Sequence, residues 1–330
     1  MVLRGGISLS DSPKRFVNLH AHTHFSVSDG LGTPEEHIDF CLENGMSSMA
    51  FTEHGNCNSF AQAYLKTKAL KEKGRDFKLI AGCEAYYHPD LDQWRKDKFD
   101  HEERKRLEKE RKKEEKKKSA EQLQEELGAD DSDGSTTENE DETKDVSKWR
   151  NPVTRRHHMV LLAKSEKGME NLFKLVSRSQ TEGMYRFPRI DAKMLKEHGE
   201  DIIVTSACIG GFGAYAVMEN FQGVTFDDLK PELLDDPAKM EKVQSALNKA
   251  FDPVVDALGA ENVFAELQFN KLAPQHLVNR ALIEFSKRQG IKLTAAADSH
   301  YCRPELWLER EIYKKLGRMR FEDIDASMLP

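Results

Sequence analysis

A chain of 330 residues has room for one large α/β domain or two of ordinary size, and length alone does not choose between them. A formal net charge of -7 argues against a surface that coats nucleic acid by general basicity, and no apolar run approaches the roughly 20 residues of a membrane span. Met1–Pro13 lacks the apolar core of a secretory signal, and the cysteines (Cys41, Cys57, Cys83, Cys208, Cys302) are odd in number and unpatterned, which points to free thiols in a reducing, cytoplasmic setting.

Phe16–His20 reads as a short strand. Thr33-Pro34-Glu35-Glu36 then supplies the cap, first-turn proline and capping-box glutamate of a helix start. Ile38, Cys41 and Leu42 give that helix its apolar stripe, and Gly45 can end it. Met49–Thr52 is a second strand and Ser59–Lys73 a helix. Phe77–Ala81, running on into Cys83–Tyr87, is a third strand.

There the pattern stops. His101–Leu127 contains E-E-R-K-R-L-E-K-E-R-K-K-E-E-K-K-K, which as a helix would be polar all round and supported by i,i+4 ion pairs. Gly128–Asp145 has the composition of disorder. We read Leu91–Trp149 as an insertion in one loop of a domain, because β/α alternation resumes beyond it. Residues 1–14 then form an extension, 15–318 a single domain carrying the insertion at 91–149, and 319–330 a tail or the start of a further region.

His158–Ala163 is a strand, Lys167–Ser179 a helix and Asp201–Ser206 a strand. A helical region runs to about Leu258, interrupted near Asp227–Pro231. Val263–Gln268 is a strand, His276–Gln289 a helix, Lys292–Ala297 a strand and Glu305–Leu316 a helix. Repeated βα units favour a parallel sheet or barrel with right-handed crossovers. About seven strands with polar clusters near their ends favour a barrel-like α/β fold.

Those clusters hold the residue types that bind transition metals. His20 and His22 alternate at the end of the first strand, so both can face one metal. His24 would join them only if the strand persisted. Asp298 and His300 repeat the two-residue spacing after the last strand, next to the first in a closed barrel. His54 closes the second strand and Glu84 the third. Taken singly, each has an ordinary reading: Asp29-Gly30 is a turn signal, Cys208 a small buried hydrophobe, and His158 begins its strand instead of ending it.

Several segments in order resemble the PHP (polymerase and histidinol phosphatase) domain of bacterial DNA polymerase III alpha subunits. They are F-V-N-L-H-A-H-T-H-F-S-V-S-D-G-L, F-T-E-H-G-N, I-A-G-C-E-A-Y-Y, H-M-V-L-L-A-K-S-E-K-G-M-E-N-L-F-K-L-V-S, T-E-G-M-Y-R-F-P-R-I-D, I-I-V-T-S-A-C-I-G-G and A-A-A-D-S-H-Y. Together they span roughly 15–90 and 155–318. The resemblance implies a distorted seven-stranded β/α barrel of the PHP type with two to three divalent metals (Zn, Mn or Fe). It implies as metal ligands His20, His22, Asp29, His54, Glu84, His158, Cys208, Asp298 and His300. One metal would lie near His20, His22, Glu84 and Asp298, the catalytic set. A second would lie near Glu84, His158 and Cys208, with Glu84 bridging, and a third near Asp29, His54 and His300. Glu53 departs from the family's more usual aspartate, outside the ligand set.

The activity implied is a metal-dependent phosphoesterase or 3′–5′ exonuclease in DNA replication. Its partners would be a DNA 3′ end or another phosphoester, and polymerase core domains or a separate polymerase subunit, with no membrane. Arg189, in F-P-R-I-D, is a candidate phosphate contact, with a structural ion pair as its alternative. Polymerase fingers, palm and thumb have no counterpart here, so the chain reads as a piece of a split or truncated polymerase, or as a free-standing relative of one. Two other readings stand beside the nuclease: a small-molecule phosphatase of the histidinol-phosphatase kind, and a non-catalytic module that stabilises a polymerase. The complete ligand set argues against the module, and the polymerase-like motifs argue against the small-molecule phosphatase.

Overall fold

In the computed structural model, residues 16–126 and 153–317 are described. The expectations for 1–14, for Gly128–Asp145 and for 319–330 lie outside them. The chain divides into two compact units, Met1–Pro89 with Arg156–Pro330, and Asp90–Arg155.

Among the described residues of the first unit, seven strands form one sheet. They are β1 (Ser48–Phe51), β2 (Lys78–Tyr87), β3 (His157–Ala163), β4 (Arg189–Ile190), β5 (Ile202–Thr205), β6 (Val263–Leu267) and β7 (Lys292–Ala295). Their order is β1-β2-β3-β5-β6-β7, with β4 paired to β2. The sheet curls, and the segment before β1 joins its two ends. Asn18 bridges to Met49 and Ala21 to Ser299, both in parallel sense. Ala50 N–H donates to the Asn18 carbonyl at 2.8 Å, and His22 N–H to the Ser299 carbonyl at 2.8 Å.

Two expectations change here. The stave expected as a regular strand at Phe16–His20 consists of isolated bridges, and β4 brings the strand count to seven. The Asn18 side chain intervenes in that stave: its Oδ1 accepts from His20 N and Ala297 N, and its Nδ2 donates to Ser299 Oγ at 2.8 Å. The second change is direction. β3 runs antiparallel to both β2 and β5, while the other main ladders are parallel. The sheet is mixed, and the start of β3 lies with the ends of its neighbours.

Strand alternation then sorts the side chains. Met49 and Phe51 pack outward with Ile38 and Cys41 of α1 (Pro34–Glu43), and with Ala63 and Leu70 of α2 (Phe60–Glu72). Ala50, Val160 and Leu162 pack together with Leu19, Ile80 and Ile203. Counting two residues at a time from Ile80 reaches Glu84, and counting back from Leu162 reaches His158. One end of the barrel is therefore lined by aliphatic side chains and the other by ligating groups. A cavity of about 510 Å³ at the aliphatic end is lined by residues such as Leu19, Ile80, Leu162, Ile203 and Phe264.

The helix start at Thr33 forms as its sequence dictates. Glu36 N–H donates to Thr33 Oγ1 at 3.2 Å, and Thr33 N–H donates to Glu36 Oε2 at 2.6 Å. The interruption near Asp227–Pro231 is a pair of short 3₁₀ turns, Phe226–Asp228 and Pro231–Leu234. The remaining helices of this unit are α4 (Glu166–Glu182), α5 (Ala192–His198), α6 (Phe212–Met218), α7 (Pro237–Leu258), α8 (Ala273–Gln289) and α9 (Trp307–Leu316). Among the described residues, no helix is long and apolar enough to cross a membrane.

In the second unit, α3 (Leu91–Glu126) is one helix, with ion pairs among its described side chains such as Arg111–Glu115 at 3.4 Å and Lys112–Glu108 at 3.1 Å. Exposed pairs of this kind contribute a few tenths of a kcal/mol each. Trp94 Nε1 donates to the Val153 carbonyl at 3.0 Å, tying the two ends of the unit together. Tyr87 and His157 lie opposite each other in the β2–β3 ladder, so a short loop can span the gap. Replacing Asp90–Arg155 by a short Gly/Ser loop is therefore expected to leave a cooperatively unfolding barrel, since loop closure costs only ~0.6 kcal/mol per doubling of length. Thermal unfolding followed by circular dichroism checks this, and a non-cooperative melt would show that the barrel needs the unit.

Candidate metal centre

His20 and His22 are fully buried and flank Ala21, which Thr52 holds in place. Ala21 N–H donates to Thr52 Oγ1 at 2.9 Å, and Thr52 N–H donates to the Ala21 carbonyl at 2.9 Å. Fixing Ala21 turns both imidazoles toward the barrel axis. His20 Nε2 lies 3.2 Å from Glu84 Oε1 and 3.3 Å from Asp298 Oδ1. His22 Nε2 lies 3.5 Å from Glu84 Oε2 and 3.4 Å from Asp298 Oδ1. These approaches lack hydrogen-bond geometry. His20 Nε2, His22 Nε2, His54 Nδ1, Glu84 Oε2 and Asp298 Oδ1 are all buried without a hydrogen-bond partner. Buried polar atoms normally have partners. Five orphans converging on common points make a donor set that fits divalent cations.

Glu84 is the hub. It lies three residues before the end of β2 instead of closing it, because β2 continues to Tyr87 to pair with β4. His158 Nδ1 lies 2.8 Å from Glu84 Oε1, and Cys208 Sγ lies 3.7 Å from the same oxygen and 3.4 Å from His158 Nδ1. His158 reaches this rim because β3 is antiparallel, which resolves its odd place at a strand start. On the other flank, Asp29 Oδ2 lies 3.2 Å from His54 Nε2 and 3.1 Å from His300 Nε2. His54 also faces Glu84, its Nδ1 2.5 Å from Oε2. Three groupings have ligand atoms within 4.8 Å of one another: His20, His22 and Asp298; His54, Glu84 and His158; and His22, His54 and His300.

The structure adds side chains that sequence reading missed. Glu266 is buried and its Oε1 lies 2.8 Å from His20 Nδ1. A carboxylate there keeps a proton on Nδ1 and leaves Nε2 as the ligating lone pair. Gln268 Nε2 donates to Glu266 Oε1 at 2.9 Å and fixes that carboxylate. Ser26 Oγ lies 2.9 Å from His22 Nδ1 and donates to Glu53 Oε2 at 2.5 Å, so it accepts from the imidazole. Glu53 thus anchors the loop behind His22, taking the Thr23 hydroxyl at 2.6 Å as well. The only local signal for Glu266 was its phase: it alternates with Val263 and Ala265, which pack away from the axis.

Two residues fall elsewhere. His24 places Nδ1 3.1 Å from the Gly32 carbonyl, outside the cluster. Arg189, expected as a phosphate contact, is only 1 % exposed, and its Nη1 donates to the Tyr185 and Phe187 carbonyls at 2.8 and 2.9 Å. Burial and the nearby Arg156 charge lower its pKa to about 10. Its guanidinium shapes the 183–188 loop, so the phosphate-contact reading gives way to a structural one.

Charge is strongly coupled across the cluster. Burial alone would depress His54, but the Glu84 and Asp29 carboxylates outweigh it and push the imidazole up to about 10. His22, with burial and the His54 charge against it, falls to about 3. Burial opposes ionisation of Glu84, yet the surrounding His158, His54 and His20 hold it well below the usual carboxylate range. Burial and the Asp298 and Glu84 charges push the Cys208 thiol up. In the metal-free chain, the protons on His20 and His54 are the countercharge. Metal ligation requires their release, together with the thiol proton.

Comparison with known proteins places the chain in a family. The family described as "PHP domain" matches residues 18–270, which include seven of the nine expected ligands. The DNA polymerase III subunit alpha of Aquifex aeolicus is 29% identical over 292 residues, 88% of this chain and 19% of that protein. That of Borreliella burgdorferi is 30% identical over 303 residues, 92% of this chain and 19% of the relative. The chain thus spans about a fifth of the length of these curated relatives. Among solved structures, a Lactococcus lactis histidinol phosphate phosphatase complexed with zinc, L-histidinol and phosphate aligns at 13% identity and a TM-score of 0.36, covering 92% of this chain and 94% of that one. With the family match running across the histidine, glutamate and cysteine segments that meet around Glu84, the chain belongs to the PHP domain family.

Proposed function

We propose that the chain is a metal-dependent phosphoesterase acting on DNA 3′ ends, a 3′–5′ exonuclease that works beside a replicative polymerase. The observation that carries this is the set of five buried, unpartnered ligand atoms converging around Glu84. His20, His22, Glu84 and Asp298 would hold one metal, Glu84 with His158 and Cys208 a second, and Asp29, His54 and His300 a third. Bound metals supply Lewis acidity, lowering the pKa of water toward ~7 and neutralising a phosphate. With three divalent ions against Asp29, Glu84, Asp298 and a Cys208 thiolate, the site would carry about +2 and would attract phosphate without a basic surface.

The chain's own residues do the orienting. Glu266 keeps the proton of His20 on Nδ1, and the Glu53–Ser26 pair does the same for His22. Arg156 is the better-placed phosphate contact. Its guanidinium carbon lies 3.4 Å from the centroid of Phe187 and 5.4 Å from that of Tyr86, and Nη1 is buried without a hydrogen-bond partner. The Tyr86 ring in turn stands 5.4 Å from that of His158. A cation held against aromatic faces keeps its donors free for an anion. The polymerase setting rests on the relatives, which are named DNA polymerase III subunit alpha.

The test is elemental analysis of protein purified without chelator, followed by hydrolysis of a 3′-terminal phosphodiester with manganese or zinc. Two to three equivalents of metal and release of mononucleotides are expected, and Arg156→Ala should raise KM with little change in kcat. Less than one equivalent, not restored by added metal, would overturn the reading. Cleavage of an aryl phosphate but not of DNA would replace the nuclease by a small-molecule phosphatase.

A further inference from the structure

We propose that Arg310 is a built-in cation that weakens the Asp29–His54–His300 position, making it the low-affinity, exchangeable site of the three. Arg310 Nη2 lies 2.6 Å from Asp29 Oδ1, and Nε donates to the Asp29 carbonyl at 2.9 Å. The guanidinium thus grips Asp29 from one side while His54 and His300 share the other carboxylate oxygen, Oδ2. Glu84 and Asp298 are faced differently, by histidines on both flanks.

What Arg310 contributes is charge more than shape. The Asp29 loop is already fixed by its backbone. Asp29 N–H and Gly30 N–H both donate to the Ser26 carbonyl, at 3.0 and 2.8 Å, and Leu31 N–H donates to the His300 carbonyl at 2.8 Å. A carboxylate that accepts a charge-assisted bond on one oxygen is a poorer donor through the other. A guanidinium also stands as a positive charge beside an incoming divalent cation, and at 17 % exposure it is only partly screened. Both effects act in one direction, against metal at this position. The bearer of that charge is α9, which is clamped to the same loop a second time, where Ser28 N–H donates to Tyr313 Oη at 3.0 Å.

The inference rests on the reading of the cluster as a metal centre. The experiment is titration of metal-free protein with Mn²⁺, with free ion followed by electron paramagnetic resonance, for wild type, Arg310→Gln and Arg310→Lys. Wild type is expected to show two tight equivalents and a weaker third. Arg310→Gln should tighten the third by about tenfold or more and leave the first two and the unfolding midpoint unchanged. Arg310→Lys, which keeps the charge and loses the fork, should stay near wild type. A third equivalent unchanged or weakened in Arg310→Gln would overturn the proposal and make Arg310 a support of the loop. Absence of any tight equivalent in all three proteins would instead overturn the metal-centre reading beneath it.

Discussion

Asp298→Asn is expected to lower phosphoester hydrolysis by at least ~10²-fold with the fold retained. Asp298 Oδ1 lies between His20 Nε2 and His22 Nε2, at 3.3 and 3.4 Å, with no hydrogen-bond partner of its own. Burial opposes its ionisation, but the neighbouring His20, His22 and His300 hold its carboxyl well below the usual carboxylate range. Asparagine keeps the shape and removes the negative charge that the metals need. The backbone tolerates the change. Asp298 sits at φ 50°, a left-handed conformation that asparagine adopts more readily than most residues. His24→Asn is the control and should cost far less, since His24 faces the Gly32 carbonyl outside the cluster. Equal cleavage by wild type and Asp298→Asn would end the enzymatic reading. So would no cleavage of any phosphoester by either protein, leaving the structural-module reading.

Glu84→Gln should have the larger effect on metal content and stability together. The Glu84 side chain is 1 % exposed and faces His20, His22, His54, His158 and Cys208. An amide there supplies no charge and points N–H donors at lone pairs that should ligate. Metal content is expected to fall to one equivalent or fewer. In metal-free protein, removing the buried anion strands the charged imidazoles, and breaking a buried pair in this way costs about 3–5 kcal/mol. The pH dependence has a definite sign. His54 is raised from its ordinary 6.5 to about 10, with Glu84 the leading carboxylate against the opposing effect of burial. Its protonated form therefore stabilises the fold fully below pH 6.5, and that contribution is lost as pH rises through about 10. The stability gap between metal-free wild type and Glu84→Gln should narrow over that window. Denaturant unfolding at the two ends of the window measures it. A variant with wild-type metal content, or a gap that widens with pH, would contradict the hub role assigned to Glu84.

Legibility in the sequence followed the range of the interaction. Short-range chemistry was readable because its partners lie within a few residues. The Thr33–Glu36 box needed no tertiary information to start α1. The break at Asp227–Pro231 announced itself through proline and aspartate. Strand alternation carried Glu84 and His158 onto the same interior face as Ile80 and Leu162. The candidate ligands were legible by residue type and, through resemblance, by grouping, whereas the distances between them came only from the fold. His158 looked misplaced because strand direction is set by pairing partners across the sheet, and only the antiparallel β3 turns a strand start into a rim position. Arg189 opens β4 and buries its charge against backbone carbonyls, a choice made by the local fold of residues 183–189. Glu266 and Arg310 stood furthest from prediction. Each meets its partner across most of the chain, 246 residues from His20 and 281 from Asp29. Nothing in a sequence window can register such a pair. Residue chemistry determined what could bind a metal. Barrel closure, by bringing the segment before β1 against the one after β7, decided which carboxylate orients each histidine and which cation stands beside Asp29.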